Sequence, residues 1–200
     1  MRRKLVYVPL AYAIGLTLAV TACQVEMEPE APDYVEEGWQ LLAERQYRAA
    51  IGQFSEGTAV LPEYADGWNG LGWAYGKLSI ADTSVVNFDI GGGLSDPTII
   101  GVEILAGRSF SNLALGEFSD AVADAKKALS RAPIWVFRRD PTLSYRHLVH
   151  TVATGFFGLA EFDSCLVWVQ RLDNTFTVDV TSLSGRSKLA AKLEALKDIL

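Results

Sequence analysis

The two histidines of the chain, His147 and His150, are the first candidates for chemistry because they stand three residues apart. At that spacing on one helix two imidazoles are close enough to share a metal ion. The neighbouring residues Arg146, Leu148 and Val149 supply no carboxylate or thiolate that could complete a ligand set. We therefore predict no metal site and no cofactor, and we interpret both histidines as surface or interface residues.

The glycine run at residues 91–93 and the acidic residues near it carry no recognisable catalytic motif. Gly91-Gly92-Gly93 lacks the Lys-Ser/Thr pair and the preceding apolar strand of a phosphate-binding loop. Four oxygen-bearing side chains could surround calcium, but their spacing is not that of the helix–loop–helix site; they are Asp82, Asn87, Asp89 and Asp96. No serine lies in the nucleophile-elbow motif of hydrolases. The sequence therefore predicts a protein that is not an enzyme.

The first 22 residues form a separate N-terminal segment. A short basic start over residues 1–4 precedes an almost wholly apolar run over residues 5–20 and the small residues Thr21 and Ala22. Such a run is at the short limit for crossing a bilayer, and its small-residue end is typical of a secretory signal. We expect residues 1–22 to be a signal peptide, and an uncleaved anchor helix is the alternative.

The stretch Val20-Thr21-Ala22-Cys23 resembles a bacterial lipobox. The resemblance implies cleavage before Cys23 and attachment of lipid to its thiol, which anchors the chain in the bacterial cell envelope. Gln24 stands where aspartate would mark inner-membrane retention in Gram-negative species, so the resemblance favours the periplasmic face of the outer membrane. Residues 23–32 are acidic and contain proline, and they predict a short tether before a domain at 33–200.

The charge of the mature chain restricts its partners. Removal of residues 1–22 takes away three of the 18 basic residues and none of the 24 acidic ones, which leaves 15 against 24 and a net charge of −9. Phosphate contacts require lysine and arginine, so we predict no nucleic-acid partner and a membrane link through the lipid alone. With Cys23 lipidated, Cys165 has no second cysteine for an intrachain disulfide.

Residues 65–101 contain the motif that organises the rest of the chain. Trp68-x-x-Leu71-Gly72-x-x-Tyr75 resembles helix A of a tetratricopeptide repeat (TPR), a helical hairpin of about 34 residues. Counting back one period predicts another unit at residues 31–64. This unit has small residues where its helices meet, aromatic residues beside them and a proline after the second helix. Its residues at the family's positions are Tyr34, Gly38, Leu41, Tyr47, Ala50, Phe54 and Pro62.

Two further units and a terminal helix complete the predicted architecture. Gly116-Glu117-Phe118 makes the turn of a unit at residues 102–137, and Ala160-Glu161-Phe162 makes the turn of a unit at 146–176. Residues 187–200 carry leucines at helical spacing with lysines on the outer face, as a capping helix does. The resemblance implies an all-α, right-handed TPR-like solenoid of about four hairpins with a C-terminal capping helix.

Three parts of the chain depart from the family pattern. Residues 79–93 are rich in β-branched residues and glycine, and they predict either a short, frayed helix or a structureless insert. In the third helix A the core positions hold Arg108, Ser109 and Asn112, so we expect that helix to be rotated relative to the family pattern. Residues 134–144 are too long for a standard turn and predict an ordered loop.

In the TPR family the A helices line a concave wall that binds partners. Aromatic side chains along such a groove give a large contact area at low entropic cost. An aromatic stripe at helical spacing can equally be internal packing, which is the alternative here. The residues that the resemblance places on the wall are Trp39, Asn69, Trp73, Phe110, His147, His150 and Phe157.

The resemblance implies an envelope-anchored adaptor or assembly factor that binds an unidentified protein or peptide through its concave helix-A surface. A small-molecule or glycan carrier that uses the same aromatic groove is the alternative. A largest cavity lined by Trp39 and Trp73 and closed by residues 79–101 would favour the carrier. An open concave face would favour the adaptor.

Overall fold

The computed structural model describes residues 29–94 and 99–200, and within these ranges the chain forms α-helices and no strand. None of the described helices has the length and apolar character needed to cross a membrane. The predicted signal peptide, Cys23 and most of the predicted tether lie outside the described residues. The helices are α1 (Ala31–Ala43), α2 (Tyr47–Val60), α3 (Ala65–Lys77), α4 (Ala81–Leu94), α5 (Ile99–Leu115), α6 (Phe118–Arg131), α7 (Tyr145–Gly158), α8 (Phe162–Val169) and α9 (Leu183–Lys197).

The first eight helices form four consecutive hairpins that stack in chain order. The first helices of the hairpins, α1, α3, α5 and α7, also pack side by side, and α9 packs on α7 and α8. Buried apolar side chains form one cluster through the first three hairpins and α7, and a second cluster around α8 and α9. The prediction of an all-α solenoid of four hairpins with a C-terminal helix is confirmed.

The turn inside each hairpin closes in the same way. One residue takes the left-handed conformation, and its N–H and that of the next residue donate to carbonyls of the helix just ended. This pattern satisfies carbonyls that the helix leaves without partners. Glycine adopts it without strain, whereas a residue with a Cβ does so at a cost. The four residues are Arg45, Ser79, Gly116 and Ala160, with φ of 62°, 61°, 80° and 59°.

The first hairpin begins at residue 31, where the first repeat was predicted to begin, so it includes the last two residues of the predicted tether. Helix α1 begins at Ala31, so Ala31 and Pro32 are helical although we predicted them to end the tether. The Glu30 N–H donates to the Asp33 carboxylate at 2.9 Å, which caps the helix at this point. Proline fits the first turn of a helix because its missing N–H would have no partner there.

The C-terminal helix also differs from its predicted bounds. It runs over Leu183–Lys197 and not over 187–200, because the Ser182 hydroxyl accepts the Gly185 N–H at 3.0 Å and starts the helix earlier. The helix before it, α8, ends at Val169, whereas we predicted the fourth repeat to extend to residue 176.

Helix α4 runs over Ala81–Leu94, so the helix predicted as one alternative for residues 79–93 is confirmed, although it is neither short nor frayed, and the alternative of an insert is wrong. The Ser84 hydroxyl donates to the Gly72 carbonyl at 2.7 Å, which ties α4 to α3. Phe88 is buried between two glycines. A β-carbon added at Gly72 would lie 2.5 Å from its ring, and one at Gly107 would lie 2.3 Å away. Tertiary packing therefore overrides the weak helix propensity of this segment.

Helix α5 keeps the register of the earlier A helices, so the expected rotation is also wrong. Gly107 receives the Phe88 ring from the preceding hairpin. Ser109 and Asn112 are buried at the expected core positions. Arg108 and Asn112 both donate to one carboxylate of α6, which satisfies these polar groups without turning the helix.

Candidate functional site

Helices α1, α3 and α5 present one shared surface, which we call the groove. It is not open, because residues 132–144, here called the α6–α7 segment, lie along it and contact all three helices. Its aromatic and acidic side chains include Glu36, Trp39, Asp66, Trp73 and Glu103.

Within the α6–α7 segment, residues 135–137 are extended in the groove, and the chain then turns at residues 138–139 and 141–142. Trp135 and Phe137 are buried, with 6% and 0% exposure, while Ile134 and Val136 are 82% and 48% exposed. This alternation is that of a β-strand, in which successive side chains point to opposite faces. Val136 forms an isolated antiparallel bridge with Ser144, so the segment folds back on itself. The ordered loop predicted here is confirmed, but its position in the groove was not predicted.

Phe137 is the central contact between the segment and the groove. Its ring stacks on Trp73, with centroids 4.1 Å apart and planes inclined by 17°. It also meets Trp39 edge-on at 6.1 Å and stacks against Trp135 at 6.1 Å. Aromatic pairs in such arrangements contribute about 0.5–1.5 kcal/mol each beyond their buried area. The aromatic residues of α1 and α3 therefore bind this ring jointly.

A chain of buried polar groups runs across the floor of the groove. The Trp39 indole donates to Asp66 at 3.0 Å, and the Asn69 amide donates to Asp66 at 3.1 Å and to Glu103 at 3.2 Å. Arg138 of the segment donates to both oxygens of Glu103, at 2.8 and 3.3 Å. These hydrogen bonds to Glu103 raise the pKa of Arg138 against the opposing effect of burial. The segment therefore supplies the cation that the buried carboxylate requires.

Two further ion pairs fix the segment at the rim of the groove. Arg139 donates to Glu36 at 3.1 Å, and its guanidinium lies 5.1 Å from the Trp39 ring centroid. Lys77 donates to Asp140 at 2.8 Å. Burial raises the pKa of Asp140, but the hydrogen bonds from Lys77 and a neighbouring threonine outweigh it, and the pKa lies below its ordinary value.

The predicted wall residues Trp39, Asn69 and Trp73 do lie together in the groove, but they are covered. Their exposures are 1%, 0% and 4%. The prediction that they line an open face is wrong, because aromatic and basic side chains of the α6–α7 segment fill that face. Whether these residues contact a partner stays a prediction.

The predicted histidines lie outside the groove and serve as structural contacts. His147 Nδ1 accepts the N–H of Ser144 at 3.2 Å, at the start of α7. Burial, and then the nearby His150, lowers the pKa of His147. His150 Nε2 lies 2.9 Å from the Leu193 carbonyl of α9. In the part of the chain that the structure describes, no three ligating side chains come together.

Of the two remaining predicted residues, Phe110 contacts Trp73 and Phe157 lies away from the Trp39–Trp73 pair. Phe110 is half-buried at the edge of the groove, with its ring centroid 6.1 Å from that of Trp73. Phe157 packs edge-on against Phe162 at 5.3 Å within the α8–α9 cluster. Phe157 is thus part of the C-terminal core, and its predicted place on the wall is wrong.

A cavity of about 620 Å³ lies beside the groove, between α3, α4 and α5. Trp73, Phe88 and Phe110 line it together with small residues of the three helices, and Leu143 of the α6–α7 segment closes one side. Its volume is in the range of small-molecule sites. Trp39 does not line this cavity. The cavity lined by both Trp39 and Trp73 that would favour a carrier is therefore only partly present.

Known structures with the same arrangement of helices identify the fold. The chain is similar to MamA, residues 41 to the end, from Desulfovibrio magneticus RS-1, with a TM-score of 0.63 and 12% identity over 86% of this chain and 96% of that one. It is similar to a thermophilic TPR protein from Thermus thermophilus, with a TM-score of 0.55 and 16% identity over 83% of this chain and 80% of that one. It is also similar to a tetratricopeptide repeat protein from Parabacteroides merdae, with a TM-score of 0.57 and 12% identity over 84% of this chain and 60% of that one. The chain has the TPR fold.

At these identities the likeness concerns the fold alone, and the sequence matches no protein-family model and no curated protein. The TPR register nevertheless explains two groove residues that the sequence analysis missed. Asp66 in the second repeat and Glu103 in the third repeat stand at the same repeat position as His147 in the fourth. The resemblance placed His147 on the concave wall because of this position. Applying the same position to the second and third repeats would have placed both carboxylates on the wall as well.

Proposed function

We propose that this TPR solenoid is a non-enzymatic interaction module that binds an extended segment of a partner protein in the groove. TPR folds are commonly scaffolds for protein–protein interaction. The observation that supports the proposal is the α6–α7 segment itself, since a stretch of chain already contacts α1, α3 and α5 with Phe137 stacked on Trp73. The same surface offers a partner aromatic stacking at its centre and carboxylates beside it.

We further propose that a lipid on Cys23 holds the module at the bacterial envelope, with the outer membrane favoured in a Gram-negative cell. The sequence from Val20 to Cys23 supports this part of the proposal. The Cys23→Ser chain should remain unlabelled by radioactive palmitate, whereas the unaltered chain should incorporate it. Equal labelling of the two chains would refute the anchor without affecting the groove.

Photo-cross-linking in cells tests the groove. A photoreactive amino acid at Glu36, on the rim and 55% exposed, should capture a partner, and one at the exposed Glu56 of α2 is the matched control. Capture from position 36 alone, mapped by mass spectrometry to an extended segment of one protein, is the expected result. Equal capture from both positions would refute the groove as the binding surface.

A small-molecule carrier is the second candidate, because the cavity beside Trp73 could enclose an apolar ligand. The Ala114→Trp substitution at its lining should then abolish a ligand signal in native mass spectrometry of the purified chain. The adaptor proposal expects partner capture from position 36 to survive this substitution.

A further inference from the structure

The contact between the α6–α7 segment and the groove is incomplete. Three buried side-chain atoms at this contact lack a hydrogen-bond partner among the described residues: Asn69 Oδ1, Trp73 Nε1 and Trp135 Nε1. Buried polar groups in proteins are nearly always hydrogen-bonded, and each exception requires an explanation. Here an amide oxygen could accept a hydrogen bond, and two indole N–H groups could donate one.

The segment holds the groove by its side chains only. In the described ranges its backbone hydrogen bonds run within the segment and to its flanking helices, and none reaches α1, α3 or α5. Its outer face is exposed, as the values for Ile134 and Val136 show, and the Arg138 side chain is 49% exposed. The segment can therefore leave the groove without breaking a backbone hydrogen bond to α1, α3 or α5.

We propose that the groove recognises a protein segment in which an aromatic residue is followed by arginine, and that this segment binds in place of the α6–α7 segment. This inference rests on the proposed function, because it assumes that the groove takes a protein. Phe137 and Arg138 show which chemistry fits: a ring between Trp39 and Trp73, and a guanidinium on Glu103. The α6–α7 segment is then an internal competitor that keeps the groove closed until the partner arrives.

Charge complementarity selects a basic partner over a neutral or acidic one. The Glu103 side chain is 1% exposed and bonds to a cation from the segment, while Glu36 at the rim bonds to a second one. A partner that displaced Arg138 and Arg139 without replacing their charge would leave a carboxylate buried and unpaired, which is strongly unfavourable. Arginine is suited to this role because its planar fork can bond both carboxylate oxygens.

The test uses a fluorescent peptide with the sequence of residues 133–141 as the probe, added to the full chain. The R138A/R139A chain, whose own segment holds the groove less firmly, should bind the peptide at least about tenfold more tightly than the unaltered chain, because internal competition lowers apparent affinity. Adding E103Q to that chain should abolish the gain. The exposed Arg146→Ala is the matched control and should behave as the unaltered chain does.

Several results would overturn the proposal. A peptide with both arginines replaced by glutamate should not bind, and equal binding would remove the charge argument. A folded R138A/R139A chain that fails to bind the peptide would make the segment a fixed part of the core. If the chain elutes as a dimer and the peptide dissociates that dimer, the groove binds a second copy of the chain instead. If R138A/R139A does not fold, D140A, which removes the contact with Lys77 and the hydrogen bonds from Thr142, replaces it with the same criteria.

The cross-linking experiment separates this inference from the proposed function. Partner capture from position 36 without peptide binding by any folded variant would leave the adaptor proposal intact and refute the inference. Peptide binding without partner capture would support the recognition chemistry and refute the adaptor role.

Discussion

Removing the two sides of the Arg138–Glu103 ion pair should destabilise the protein unequally. The Glu103 side chain is 1% exposed, whereas that of Arg138 is 49% exposed. Arg138→Ala leaves a buried carboxylate that, among the described residues, keeps only the Asn69 amide as partner, and loss of one partner of a buried pair costs about 3–5 kcal/mol. Glu103→Gln leaves a guanidinium that water already reaches, and it loses charge-assisted hydrogen bonds worth about 1.5 kcal/mol. We expect Arg138→Ala to lower the free energy of unfolding at least twice as much.

Urea unfolding followed by far-UV circular dichroism measures both values, with tryptophan emission recorded in parallel. The control is Arg146→Ala on the surface of α7, which should change stability by less than about 0.5 kcal/mol. A red shift of the emission in Arg138→Ala before global unfolding would show that the segment opens over Trp39 and Trp73. A larger loss for Glu103→Gln than for Arg138→Ala would refute the reasoning, because the cost would then not follow the burial of the remaining charge.

Three further predictions concern the scaffold. Ala160→Gly should raise stability by about 1 kcal/mol, measured as an increase in Tm, because Ala160 has a φ of 59°. Gly70→Ala should cost about 1–3 kcal/mol, since its β-carbon would lie 2.3 Å from a buried phenylalanine ring; the control Gly52→Ala, with nothing within 4 Å, should stabilise α2. The Asp140 pKa is lowered in the folded chain, so its contribution is present above the unfolded pKa near 4 and is lost as pH falls through the folded value. Asp140→Asn should therefore reduce the loss of stability on acidification, measured by urea titration between about pH 5 and pH 2.

The helical repeat could be predicted from the sequence because its signals are local and periodic. The motif around Trp68 carries the resemblance to a TPR, which implies the length of the hairpin. The small residues Gly38 and Ala50 indicate where the two helices of a hairpin meet. The sequence left helix α4 open between a short, frayed helix and an insert, because its propensity is weak and its stability comes from Phe88, which packs between glycines of two other helices. Local propensity carries no information on such a contact.

The site could be predicted only in part, because no positional rule indicates where a loop will lie. The TPR register placed Trp39, Asn69 and Trp73 on one surface, as the structure does. It could not indicate that residues 134–144 return to that surface. Two signals were present: an excess length for a turn, and an alternation of aromatic and aliphatic residues ending in two arginines. Their meaning depends on the acidic residues of α3 and α5, which are distant in sequence.

A comparison of the two buried ionic clusters supports a site in the groove rather than a second core. Arg108 donates two hydrogen bonds to Asp124 at 2.7 and 2.8 Å and one to Asp89. All four members of this cluster, with Asn112, lie on helices of the solenoid, and none of its buried polar atoms lacks a partner in the described ranges. The cluster around Glu103 takes its cation from the α6–α7 segment, and Asn69 Oδ1 there is without a partner. A polar network fixed by the fold gains nothing from unpaired members. Unpaired groups at a surface that already holds a loop of the same chain are expected where another chain, with a better set of partners, binds.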